Sequence, residues 1–317
     1  MNERIYKIVG KINMIKESLN SMFLERKSAV DMIILSVISG KHSILIGGPG
    51  LAKTAVLKAL AGRVKGLIFF DFQMTPATKI EELISNGGGT QNKNKTGIDN
   101  CDIALIDEFF KGPHSTLNSL LSIMNERIIY NPEPRKIPLI SLFASSNERP
   151  DKSSDSNLLP LYDRFLFRME ILPVKGEENF KKLLELKDED GFNDDAENGD
   201  NREDRACGDD VSDAAYASAV TFLDKKEIET LSGAAETVNM GGDILGCMYK
   251  IREELKNKQV IVSDRRWRET VKILKTCAVL NNRSSVSRED LKMLEPSLWT
   301  YYSDIRAVKN IVGRESK

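Results

Sequence analysis

The sequence predicts an α/β fold built on a parallel sheet. Apolar runs at residues 44–46, 67–72, 103–106 and 137–144 read as buried strands, and segments with helical spacing alternate with them. A further observation adds chemistry, because the first and third of these runs end in residues suited to phosphate and metal. With 317 residues and 41% hydrophobic content, the chain has room for one large domain and a small one.

The first residues mix charges with apolar side chains, so no signal peptide is read, and no stretch approaches the roughly 20 apolar residues that cross a bilayer. Four isolated cysteines, Cys101, Cys207, Cys247 and Cys277, form no CxxC pair, and the only histidines are His42 and His114. Reduced thiols in a cytoplasmic setting are therefore expected, without a His-rich metal site.

The first packed helix is marked by Val30, Ile33, Ile34, Val37 and Ile38, with Gly40 as its stop. It feeds a strand that runs into Gly47-Gly48-Pro49-Gly50-Leu51-Ala52-Lys53-Thr54. This is a phosphate-binding loop: its glycines let backbone N–H groups converge on phosphate oxygens, and the helix that follows adds its positive dipole end. Gly48, Pro49, Gly50, Leu51, Ala52, Lys53, Thr54 and Ala55 would wrap the phosphates, with Lys53 on the β- and γ-phosphates and the Thr54 hydroxyl on Mg²⁺. Ala52 stands where the motif usually has its second glycine. A methyl is tolerable there if the residue has right-handed helical dihedrals.

After the loop, Val56, Leu60 and Val64 repeat on one helical face, and residues 67–72 read as a buried strand. The run at 103–106 then ends in Asp107 and Glu108, 54 residues after Lys53. At the C-terminal end of a strand Asp107 would hold the metal or its water, and Glu108 would polarise an attacking water. Either motif alone is common; the pair, in this order and each after an apolar strand, points to a nucleotide engine. The strand at 137–144 leads to Asn147, a γ-phosphate or water contact, or else an ordinary turn residue. Residues 161–168 read as a strand near an interface and carry Arg164 and Arg168, of which Arg168 reads as a surface salt bridge.

The net charge of −1 conceals a segment from Asp188 to Asp213 with 12 acidic residues and two arginines, which leaves the remainder of the chain about +9. Poor in apolar residues, it reads as a solvated linker, with an acidic tether for a basic partner as the alternative. Beyond it, Ser263 opens a helix whose Trp267, Val271, Leu274 and Ala278 share a face, and its first-turn Arg265 and Arg266 could point back at the nucleotide. Trp299 reads as a core anchor.

In order, these pieces resemble AAA+ ATPases of the MoxR type, most closely the RavA branch. The matching residues are Leu24-Glu25-Arg26, the phosphate loop, residues 105–111, residues 117–121 leading to Met124-Asn125-Glu126-Arg127, residues 143–148, residues 161–166 and the stretch 291–299. The resemblance implies a P-loop domain with a five-stranded parallel sheet flanked by helices, plus a small all-helical lid. It makes Ala52 an expected residue, Asn147 sensor 1, Arg164 a trans-acting arginine finger and Arg265 sensor 2, with Arg266 as its rival. The expected organisation is an N-terminal helix over 1–25, the nucleotide-binding domain over 26–180, the acidic linker over 181–212 and the lid over 213–317. ATP would lie in the crevice between domain and lid.

A hairpin before sensor 1 is expected over residues 127–137, and a pore insert over 75–96, where the polar tip lacks the aromatic residue that grips a polypeptide. What the resemblance implies functionally is an ATP-hydrolysing, Mg²⁺-dependent chaperone in a hexameric ring, with a von Willebrand factor A domain protein as partner. Two other classes stay open: a nucleic-acid motor, which no aromatic stacking platform supports, and a slowly hydrolysing nucleotide switch acting as a scaffold.

Overall fold

The computed structural model describes residues 2–85, 96–130, 133–148, 158–185 and 222–317. Helix α1 (Glu3–Met22) is capped by the Asn2 side chain, which accepts from the Arg4 N–H at 3.2 Å, and buries Ile8, Ile12, Ile15 and Leu19. Helix α2 (Lys27–Ser39) carries the expected apolar face and stops at Gly40, whose φ of 66° is the left-handed cap that turns the chain into strand β1 (Ser43–Ile46). The phosphate loop follows, then α3 (Lys53–Ala61).

That helix ends sooner than the spacing suggested. Val64 lies beyond its cap at Gly62, in the two-residue strand β2 (Val64–Lys65). Strand β3 (Phe69–Gln73) is an edge strand with its residues alternately covered, so the run at 67–72 is neither fully strand nor fully buried. Next come β4 (Ile103–Asp107), a 3-10 turn at Phe109–Lys111 and α4 (His114–Glu126). The hairpin forms as anticipated: β5 (Ile128–Tyr130) pairs antiparallel with β6 (Pro134–Lys136) and leads to β7 (Ser141–Ser146). Helix α5 (Leu159–Arg164) and strand β8 (Phe167–Glu170) complete the sheet. The reading of 161–168 as one strand is corrected here, because its first half is helix and only its second half pairs with β1.

The sheet has five parallel strands in the order β3-β4-β7-β1-β8. Residues of β1, β4 and β7 are buried almost throughout, as an α/β sheet covered on both faces requires. All five strands point their C-terminal ends the same way, so Ile46, Asp107 and Ser146 finish on one rim.

After β8, α6 (Glu177–Glu185) extends past residue 181, so the described start of the expected linker is helical; residues 186–221, with most of that acidic segment, lie outside the described residues, as do residues 86–95 of the expected pore insert. Strand β9 (Leu223–Asp224) pairs with β2, and the lid follows as α7 (Lys225–Glu236), α8 (Gly242–Asn257), α9 (Asp264–Leu280), a 3-10 segment at Arg288–Ser297 and α10 (Ile305–Glu315). Leu231, Ile251, Leu274, Leu291, Leu294 and Val312 form the lid interior, continuous with the core of the sheet domain. The fold is thus a five-stranded parallel sheet flanked by helices with a helical lid.

Arg168 is not at the surface. It is 1% exposed on β8, where its guanidinium donates to the carbonyls of Tyr162 and Trp299. Trp299, 4% exposed, anchors the lid against the sheet as its apolar bulk suggested.

Candidate functional site

Strand β1 hands the chain to its loop at Gly47, whose N–H donates to Ser146 O at 3.0 Å. A Cβ at Gly47 would sit 2.5 Å from the Ile171 carbonyl oxygen, so no other residue fits there without moving backbone. Gly48, Pro49 and Gly50 are exposed, and Arg26 Nε braces the loop by donating to Leu51 O at 3.3 Å. Ala52 caps α3 with φ 58° and ψ 28°. The right-handed dihedrals that would have made its methyl innocuous are therefore not what the loop uses. A Cβ in the left-handed region costs about 1 kcal/mol, held here by the burial of Ala52. From Lys53 onward the helix points its positive dipole end at the loop.

Six polar side chains near three strand ends form two sets of contacts. Thr54 Oγ1 donates to the Asp107 carboxylate at 2.9 and 3.1 Å. Lys53 Nζ donates to Gly47 O at 2.5 Å, to Gly48 O at 3.0 Å and to Asn147 Oδ1 at 2.8 Å. Asn147 Nδ2 donates in turn to Glu108 Oε1 at 2.5 Å, and Lys111 Nζ lies 3.4 Å from Glu108 Oε2. Glu108 has φ 54°, a left-handed kink that swings its side chain out of the β4 line and toward Asn147.

Among the described residues no group of three or more His, Cys, Asp or Glu side chains forms a cage for a metal. One hydroxyl and one carboxylate are instead the donor set expected for Mg²⁺, which keeps several water and phosphate oxygens of its own. The residues present fit that ion.

Beside the loop a cavity of about 470 Å³ separates the sheet domain from the lid. Arg26, Ile171 and Pro173 line its inner side, Met293 and Pro296 its lid side, and burial raises the Glu295 carboxyl above its ordinary range. Its size and mostly apolar lining suit a nucleoside.

The remaining predicted residues lie at the other end of the sheet. Lys41 and His42 precede β1, and four residues at about 3.3 Å each place some 13 Å of strand between them and the loop. Here Arg164 Nε donates to Asn125 Oδ1, while its Nη1 is 3.4 Å from Asp163 Oδ2. Arg265 Nη1 stands 3.9 Å from the same carboxylate. Arg266 is buried, with Nη2 3.3 Å from Asp163 Oδ1 and hydrogen bonds to Trp299 O and Tyr162 O, so its fork serves the junction between domain and lid.

Lys41, Asn125, Arg127, Arg164 and Arg265 surround a cleft of about 120 Å³. Its charge is predominantly positive: burial, then Lys272, Arg127 and Arg265, bring the Lys41 ammonium down to about 8, and burial followed by Arg265 brings Arg127 down to about 10. The structure therefore joins Lys53, Thr54, Asp107, Glu108 and Asn147, but separates Arg164 and Arg265 from them and puts those two beside each other. Lys41 and Asn125 escaped the sequence reading as site residues, Lys41 altogether and Asn125 inside a quoted match without a role.

Residues 10–208 match the family described as the MoxR domain in the MoxR-vWA-beta-propeller ternary systems, and residues 243–312 match an AAA lid domain. An uncharacterized protein of Methanocaldococcus jannaschii is 32% identical over 314 residues, covering 96% of this chain and 74% of that one. Chaperone MoxR1 of Mycobacterium tuberculosis is 28% identical over 149 residues, 45% of this chain and 39% of its own. A solved structure from Cytophaga hutchinsonii, provisionally assigned as an ATPase, superposes with a TM-score of 0.72 over 99% of this chain and 95% of that one; at 18% identity this likeness concerns the fold.

Proposed function

The chain belongs to the MoxR-type AAA+ ATPases, and on that premise we propose that it binds and hydrolyses ATP with Mg²⁺ as a ring of identical copies that remodels protein partners. The observation that carries the reading is the contact series Lys53–Asn147–Glu108 beside Thr54–Asp107, five side chains delivered to one rim by β1, β4 and β7. Few other chemistries need an ammonium, a carboxylate hydrogen-bonded by an amide and a hydroxyl–carboxylate pair next to a glycine-rich helix N-terminus.

In this mechanism the loop N–H groups and Lys53 hold the β- and γ-phosphates, and the base and ribose enter the cavity between Arg26 and Met293. Thr54 and Asp107 are the residues that would hold Mg²⁺, which supplies positive charge to the phosphate oxygens when bound. Glu108 orients and polarises the attacking water, and Asn147, bonded to both Lys53 and Glu108, keeps that water aligned with the γ-phosphate. Arg164 and Arg265 act on the nucleotide of an adjoining copy, a division of labour supported by their place at the far end of β1. The RavA-like assignment and the von Willebrand factor A partner belong to the same proposal; the latter is supported by the description of the matched family.

Glu108→Gln is expected to bind ATP with affinity near that of the native chain while turnover falls by about 10²-fold or more. Lys53→Ala is expected to lose nucleotide binding itself. Native turnover in Glu108→Gln, or native affinity in Lys53→Ala, measured by phosphate release and fluorescent-nucleotide titration, would reject the roles given to these residues.

A further inference from the structure

We propose that Asn125 is a positioning residue for Arg164, holding the guanidinium that one copy presents to the nucleotide of the next; the inference rests on the trans role given to Arg164 above. A guanidinium can only donate, so the amide must turn its oxygen toward Arg164 Nε, and that contact is made. With the neighbouring Asp163 Oδ2 3.4 Å from Nη1, two of the three guanidinium nitrogens have partners.

Asn125 is itself on a rigid mount. It lies in the last turn of α4, where the Met124 carbonyl accepts from the His42 ring at 3.0 Å and from Arg127 Nη1 at 2.5 Å. His42 is buried, and burial holds its pKa well below the ordinary value; Leu142 N–H donates to its Nδ1 at 2.8 Å, while Nε2 faces both the Met124 carbonyl and Arg127 Nη1. Arg127 caps the helix with φ 56° and clamps it to Gly40 O at 3.2 Å and Ile140 O at 3.1 Å. The end of α4 is thereby pinned to the chain just before two central strands, β1 and β7.

The opposite end of α4 begins directly after the turn that carries Glu108. Its thirteen residues span about 20 Å, from the turn after Glu108 to the Asn125 that meets Arg164. That same turn also reaches Arg164 through aromatic contacts: Phe109 meets Phe165 edge-on at 5.1 Å, and Phe110 packs on Tyr162 at 4.2 Å. Arg164 thus has two mechanical links to Glu108 of its own chain. Asn125 is the one that touches its guanidinium.

Asn125 is exposed, so its truncation leaves the core intact. Asn125→Ala is expected to lower kcat by about 10- to 100-fold with KM and nucleotide affinity unchanged, as for a misplaced but present catalytic group. Asn125→Gln, which keeps a carbonyl oxygen on a longer arm, should retain more turnover than the acceptor-free Asn125→Leu. In an Arg164→Ala background, Asn125→Ala should have no further effect. Equal turnover in the Gln and Leu variants, or the same fold-loss with and without Arg164, would overturn the positioning role. Full activity in Arg164→Ala alone would instead reject the trans reading beneath it.

Discussion

Ala52 is the residue at which chain geometry and side-chain identity pull apart. Its left-handed dihedrals are those glycine adopts freely, yet it carries a methyl buried to 3% exposure. The steric cost of the Cβ offsets the entropy glycine would lose, so Ala52→Gly should change stability by less than about 0.5 kcal/mol. Ala59→Gly, two turns into the same helix, should cost about 1 kcal/mol. Urea midpoints of the two variants check this, and an equal loss in both would mean that the Ala52 methyl is no burden. The placement of Lys53, Thr54, Asp107, Glu108 and Asn147 on one rim was legible from sequence, since each follows an apolar strand and strand direction does the rest. The handedness of Ala52 was not, because one dihedral leaves no period in a sequence.

Elements with a clear period were equally readable. Helix α2, its Gly40 stop, and the buried strands β1 and β4 follow the apolar spacing closely, whereas β7 starts at Ser141, four residues after the run expected from Ile137. Residues 161–168 did not, since Leu161, Tyr162, Phe165 and Phe167 are too dense for either period to stand out, and a helix of six residues precedes the four of β8. The same segment hid Arg168, which sequence placed at the surface and folding placed between β8 and the lid. Its donors satisfy Tyr162 O and Trp299 O, and Arg266 adds a second guanidinium to both carbonyls. Arg168→Ala would leave those carbonyls only the longer contacts to Arg266 and open a void at the seam, a loss of about 3 kcal/mol expected in urea unfolding. A midpoint within error of the native chain would show that Arg266 alone carries the junction.

At the scale of the molecule, the sheet divides the machinery between its two rims. One end holds Lys53, Asp107, Glu108 and Asn147; the other holds Lys41, Arg127, Arg164 and Arg265 around a cationic cleft. The lid's placement of Arg265 was beyond the sequence, because spacing within α9 says which residues share a face and nothing about which end of the sheet that helix meets. About 13 Å of strand separates the two groups within one chain. On the proposed reading they meet between copies of the chain, and a mixing experiment tests that ring. Glu108→Gln retains a sound arginine face and a dead hydrolytic rim, and Arg164→Ala the reverse. Each alone should be nearly inactive, whereas equimolar mixtures should regain turnover well above the sum of the two, since some junctions then pair an intact Glu108 with an intact Arg164. Mixtures no more active than their parts, under conditions where the copies exchange, would place Arg164 outside the neighbour's reaction and return the cleft at the foot of β1 to a purely structural role.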